Sequence, residues 1–144
     1  QPSGRRSILL ISDGLDISRG ADSSAPGQSI DLQRAINQAQ RRSIAVYSFY
    51  EPSVILDQSS NLLLVGNAQG SLGRLSDETG GKAYFQGTGA PVSFDPFLKD
   101  LDATLEKQLA VTFLSTHPNK GFHKLQIRSL TPGIQLSYPT GYIK

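Results

Sequence analysis

The feature that most constrains this chain is a hydrophobic period that changes twice within its first fifty residues. Ser7-Ile8-Leu9-Leu10-Ile11 is a continuous apolar run, the pattern of a strand buried on both faces. From Ile30 the spacing lengthens. Ile30, Leu32, Ala35, Ile36 and Ala39 fall on one side of a helix, and Gln33, Arg34, Gln38, Arg41 and Arg42 face water. Ser29 offers an N-cap and Asp31 a carboxylate in the first turn, where the helix dipole favours it. Ile44-Ala45-Val46-Tyr47-Ser48-Phe49 then returns to a strand. Strand, helix, strand is a βαβ unit, whose crossover is right-handed. The expected fold class is therefore α/β.

The remaining chain divides by the same reasoning. Leu15 to Gln28, rich in Asp, Ser and Gly and containing Pro26, reads as a loop. Residues 51–70 mix apolar pieces with Pro52, Asp57, Asn61, Gly66, Asn67 and Gly70. They read as a long insertion with short ordered parts, one of them a helix over 59–65. Leu72 and Leu75 open a short helix that Gly80-Gly81 stops, and Lys82-Ala83-Tyr84-Phe85 is a third strand. Asp95 caps a last helix with Pro96 at its first position, and Phe94, Leu98, Leu101, Leu105 and Leu109 form its apolar face. Beyond Leu109 the period falls to two. Val111 with Phe113, Leu125 with Ile127, and Ile134 with Leu136 and Tyr138 predict three half-buried strands, separated by turns at 117–121 and 131–133. Residues 1–108 thus read as an α/β unit. Residues 109–144 read as a small antiparallel β extension, whose apolar face must lie on that unit or on an upstream domain.

Ile11-Ser12-Asp13-Gly14-Leu15-Asp16, the helix at 30–42, the strand at 44–49 and the run Leu72-Gly73-Arg74-Leu75-Ser76-Asp77-Glu78-Thr79-Gly80-Gly81-Lys82-Ala83-Tyr84-Phe85 come in an order that resembles the C-terminal half of a von Willebrand factor type A domain. Phe122-His123-Lys124-Leu125-Gln126-Ile127 and Pro139-Thr140-Gly141-Tyr142 resemble a β extension of bacterial relatives, many of them exported. The resemblance implies a partial Rossmann-like sheet and a non-catalytic adhesion or protein-interaction module. It also implies a secreted or extracytoplasmic setting and a divalent-metal site in which Asp13 is one ligand. A carboxylate on a short loop beyond a strand suits Mg²⁺ or Ca²⁺, although such a residue also serves as a plain turn carboxylate. The family's main Asp-x-Ser-x-Ser motif and its threonine belong upstream of this chain. Asp22-Ser23-Ser24-Ala25-Pro26 has part of that spacing, but no buried strand precedes it and Pro26 takes the last serine's place, so it is read as coincidence. Asp13 alone makes an incomplete site. The alternative is a purely structural or assembly segment of a larger exported protein with no working metal site.

Other chemistries find little support. Basic and acidic residues nearly balance and are mixed, with only the doublets Arg5-Arg6 and Arg41-Arg42, so no nucleic-acid footprint emerges. Without cysteine there is no disulfide, thiolate metal site or thiol nucleophile. His117 and His123 lack neighbouring carboxylates and read as turn and strand residues, and no Gly-x-Ser-x-Gly elbow occurs. Gly80-Gly81-Lys82 lacks the rest of a phosphate loop. A phosphoacceptor reading of Asp13 needs partner acids from another strand end. Asp100 and Asp102 read as helix surface. No enzyme is expected, and no run is long and apolar enough for direct membrane insertion. Because the sequence does not begin with Met, a segment is expected to precede it. The Ser7–Ile11 strand, deprived of a neighbour, is expected to pair with a missing N-terminal half or in a homo-oligomer.

Overall fold

The computed structural model of the chain describes residues 6–16, 18, 20, 24–53 and 62–144. Strand β1 (Arg6–Ser12) leads to helix α1 (Ile30–Arg41), strand β2 (Ile44–Tyr50), helix α2 (Leu62–Thr79), strand β3 (Ala83–Tyr84) and helix α3 (Asp95–Glu106). Strands β4 (Phe122–Lys124) and β5 (Gly141–Ile143) follow. The first three strands form a parallel sheet in the order β1-β2-β3, and β4 and β5 pair antiparallel as a separate extension. The α/β expectation therefore holds at the level of a parallel sheet flanked by helices, with a small antiparallel appendage.

β2 is the middle strand and organises both layers. Tyr50 packs with Val65, Ala68 and Leu72 of α2 on one face, while Tyr47 and Phe49 pack with Tyr84 and Leu101 on the other. Strand alternation produces this division. Phe49 stacks on Phe94 at 5.6 Å and meets Tyr84 and Phe97 edge-on at 5.2 and 5.5 Å, favourable ring geometries that add to the burial itself. α1 lies on the same face as α2, where Ala35 and Ala39 line an apolar groove with Ile8, Leu10 and Val46.

The helix ends follow from local chemistry. The Ser29 hydroxyl accepts from Leu32 N at 3.1 Å, as expected of the N-cap. α2 closes with Gly80 at φ +80 and Gly81 N donating to Ser76 O at 2.9 Å, a left-handed exit that glycine adopts without strain. A Cβ on Gly81 would stand 2.0 Å from Val46 O, so the chain comes this close to β2 only as glycine. Thr79 Oγ1 accepts from Val46 N at 3.0 Å and ties the helix end to the strand.

Several expectations are corrected. Residues 62–79 are one helix, not the end of an insertion followed by a short helix at Leu72. Gly66, Asn67, Gly70 and Gly73 lie inside it: Asn67 Nδ2 donates to Ser24 Oγ at 3.0 Å, and a Cβ on Gly70 would meet Pro26 Cγ at 2.9 Å. Gly70 and Asn67 let the 24–28 turn rest on the helix. Residues 54–61, including the start of the expected 59–65 helix, lie outside the described residues. α3 has Phe94 at its cap position with no side-chain cap bond, and Asp95 is already helical. Leu98 is exposed, and Leu109 lies beyond the helix end and is exposed, because Phe97 takes the place on the packed face that the spacing gave to Leu98. The three predicted strands of the tail reduce to β4 and β5. Residues 111–113, 125–127 and 134–138 form no strand, although the exposed and half-buried alternation continues from 121 to 130.

The extension contacts the end of the α/β layer. Gln40 Nε2 donates to Glu78 O at 2.9 Å and to Thr140 Oγ1 at 3.3 Å, and Thr140 N donates to Glu78 O at 3.2 Å. The Glu78 carbonyl in the last turn of α2 thereby gains two partners. Among the described residues no helix is long and apolar enough to cross a membrane.

Candidate functional site

The two features singled out by sequence, the apolar first strand and Asp13, meet at one corner of the sheet. β1 has β2 on one side, and among the described residues no strand lies on the other. Ile8, Leu9 and Ile11 are 47%, 43% and 54% exposed. The expectation of a strand buried on both faces is thus corrected. α1 covers only part of β1's one face, α3 packs over β2 and β3 on the opposite face, and Leu9 and Ile11 project past its reach. Beside Ile8 and Leu10 the uncovered margin deepens into a groove of about 410 Å³, rimmed by Gln38 and Arg42.

At the C-terminal end of β1 the chain turns sharply. Gly14 N donates to Ser12 Oγ and Leu15 N donates to Asp13 Oδ1, both at 3.1 Å. Gly14 has φ +70, and a Cβ there would stand 2.3 Å from Ala68 O. The turn is therefore pressed against α2, and Leu15 enters the cluster around Tyr50. Asp13 is half-buried, fixed in position by this turn, and lies where ligands of open α/β sheets sit, beyond the carboxyl ends of the strands.

Adjacent loops complete the rim. Glu51, exposed at the end of β2, donates its N–H to Ser12 O at 3.0 Å. After β3, the 85–91 loop is held by Tyr50 OH donating to Thr88 O at 3.4 Å and by Gln69 Nε2 donating to Gly87 O at 2.7 Å. Asp16 Oδ1 accepts from Ser18 N and Ser18 Oγ at 3.0 and 2.7 Å. Among the described residues no group of three or more His, Cys, Asp or Glu side chains converges as a metal cage. Asp22 and Ser23 lie outside the described residues, and Ser24 is buried against Asn67.

The other candidates fall elsewhere. His117 and His123 stack at 4.8 Å in the tail, and His123 faces Tyr142 at 5.2 Å. Lys82 leaves the Gly80-Gly81 stop to bond Asp100 Oδ2 at 2.7 Å, with its ammonium 4.8 Å from the centre of the Tyr84 ring. The lysine holds the Asp100 carboxyl below its usual range, and burial, followed by the nearby Asp100, pushes the Tyr84 phenol upward. The backbone edge of β1 was legible in sequence only as an apolar strand lacking a neighbour. The groove beside it depends on where α1 comes to rest. No protein-family model, no curated protein and no solved structure matches the chain.

Proposed function

We propose that this chain is a non-catalytic protein-interaction module, a sheet of von Willebrand factor type A kind that engages its partner by adding a strand along β1. The observation that carries this reading is that, among the described residues, β1 is open along one edge and carries exposed apolar side chains on both faces. All-parallel sheets are ordinarily covered on both sides, and an open apolar edge is a template for strand addition. The resemblance in the sequence adds the expectation of an exported or extracytoplasmic setting. The test is fluorescence anisotropy with a labelled peptide of sequence RSILLIS, which matches β1 itself. Saturable binding that is lost in Leu9→Pro supports strand addition, because proline removes an edge donor. Absence of binding by the folded chain overturns it.

A second reading has its own observation. Asp13 stands fixed and half-exposed at the C-terminal end of the open strand, where an added strand would bring further oxygen donors. On this reading Asp13 contributes to a Mg²⁺ or Ca²⁺ adhesion site that is complete only in the assembled sheet, since Mg²⁺ needs several placed oxygens. Calorimetric titration with Mg²⁺ or Mn²⁺, with Asp13→Ala as control, tests it. Saturable heat lost in the variant supports the metal role, and none in a peptide-saturated sample removes it.

A further inference from the structure

The sequence separates His117, before Pro118, from His123, in a strand, yet the fold brings their rings together, with centres 4.8 Å apart and planes tilted by 43°. Different segments carry the two rings. His123 lies in β4, directly opposite Tyr142 of β5 in the antiparallel ladder, with the rings 5.2 Å apart. His117 lies in the stretch between α3 and β4, which forms neither helix nor strand. Lys144 Nζ donates to the His117 carbonyl at 2.6 Å, and Ser115 shares a hydrogen bond of 2.6 Å with the Tyr142 hydroxyl. Phe113 meets the Tyr142 ring edge-on at 5.3 Å. These contacts lay the stretch along the β4–β5 pair.

The hydrogen bond of His123 fixes which nitrogen is free. Its Nε2 lies 3.0 Å from Asn119 O, and a carbonyl only accepts, so Nε2 carries the proton and Nδ1 of the neutral ring keeps its lone pair. A backbone carbonyl that holds one ring N–H is the usual outer support of a metal-binding imidazole. His117 is exposed, so its ring is open to an ion from solvent. With Zn–N bonds of about 2.0–2.1 Å, the centres of two imidazoles on one ion stand about 4.5–5.2 Å apart at octahedral to tetrahedral angles. The observed 4.8 Å falls within that interval.

We propose that His117 and His123 form a two-imidazole site for a divalent late transition ion, Zn²⁺, Ni²⁺ or Cu²⁺, which staples the 113–118 stretch to the β4–β5 pair. The donors select the ion class. Residues 107–144 contain no Asp or Glu but carry Lys120, Lys124 and Lys144 close to the two histidines in sequence or space. Mg²⁺ and Ca²⁺ rely on carboxylate oxygens and find none in this segment, whereas imidazole suits Zn²⁺, Ni²⁺ and Cu²⁺. Two protein ligands leave the other coordination positions to water, and the neighbouring lysines oppose a cation, so binding is weaker than in a closed four-ligand site. The site shares no residue with the corner at Asp13.

The test uses the whole chain without a polyhistidine tag, which would bind the same ions. Calorimetric titration with Zn²⁺ gives saturable one-to-one binding, lost in His117→Ala and in His123→Ala and kept in Asp13→Ala. Because His117 is exposed, its variant keeps the circular dichroism spectrum of the parent, which separates loss of the ligand from loss of the fold. The chain has only two histidines, so the two variants assign their ring-proton NMR signals, and both sets shift together and stop shifting at one equivalent of Zn²⁺. No saturable heat from the folded parent, movement of one ring's signals alone, or binding that survives His117→Ala overturns the site and leaves the pair as a ring contact only.

Discussion

β1 and β2 are seven-residue strands in one sheet, lying side by side in full register, and both are apolar, yet they meet opposite environments. Phe49 and Tyr50 are fully buried, whereas the matching Ile11 in β1 is more than half exposed. The difference lies in the neighbours. Among the described residues β2 has a strand on each side and a helix layer on each face, whereas β1 has one strand and part of one helix. An apolar run thus reports what a strand needs, and the topology decides whether this chain supplies it.

The largest test of that contrast is a matched pair of truncations. Phe49→Ala should cost about 3–5 kcal/mol in urea unfolding, while Ile11→Ala in a dilute sample should cost less than about 1 kcal/mol. Similar losses at the two sites would mean that β1 is covered in solution. Next in size is the buried hydroxyl pair beneath β2, where Ser76 Oγ donates to Ser48 Oγ at 2.9 Å. Ser76→Ala strands the Ser48 hydroxyl in the core and should cost about 1–3 kcal/mol. A neutral result would show water reaching β2 and would weaken the contrast.

The other edge of the sheet sharpens the comparison, because β3 is covered where β1 is not. Tyr84 is buried there, and its phenol is pushed upward. A raised folded value means the neutral phenol contributes stability below the ordinary tyrosine range, near pH 10, and that this contribution is lost as pH rises through the folded value. Tyr84→Phe should therefore extend thermal stability to higher pH, read as a flatter melting-temperature profile above pH 10. The smallest effect belongs to the half-exposed Lys82–Asp100 pair. Asp100→Asn should cost about 0.2–1 kcal/mol at neutral pH. Because the folded Asp100 value is depressed, that difference is present above the ordinary aspartate range and vanishes as pH falls through the folded value. A pH-independent difference would assign the effect to packing on Tyr84.

Much of the α/β layer was legible because its signals are local. The Ser29 cap, the 3.6-residue spacing of α1 and the Gly80-Gly81 stop each act within one turn of the residues that carry them. α2 differs for the opposite reason: Asn67 and Gly70 look like loop punctuation until the 24–28 turn is seen resting on them. Tail alternation separated half-buried Leu125 and Ile127 from exposed Gln126, but Val111, Phe113 and Ile134, expected half-buried, are exposed. It could not say that they lack a ladder, since hydrogen bonding depends on a partner backbone. At the candidate site Asp13 was legible as a carboxylate after a strand. The exposure of Ile8, Leu9 and Ile11 was not, because it depends on where α1 and α3 come to rest.

The bond from Gln40 to Thr140 spans one hundred positions, and the same amide also serves the carbonyl of Glu78. On a ribosome, the ends of α1 and α2 therefore wait until Thr140 emerges, one hundred residues after Gln40, before their last partner arrives. Long-range closures of this kind slow folding. During that interval β1 and the unfinished helix ends are exposed together in the nascent chain, the surface a chaperone has most reason to protect from aggregation.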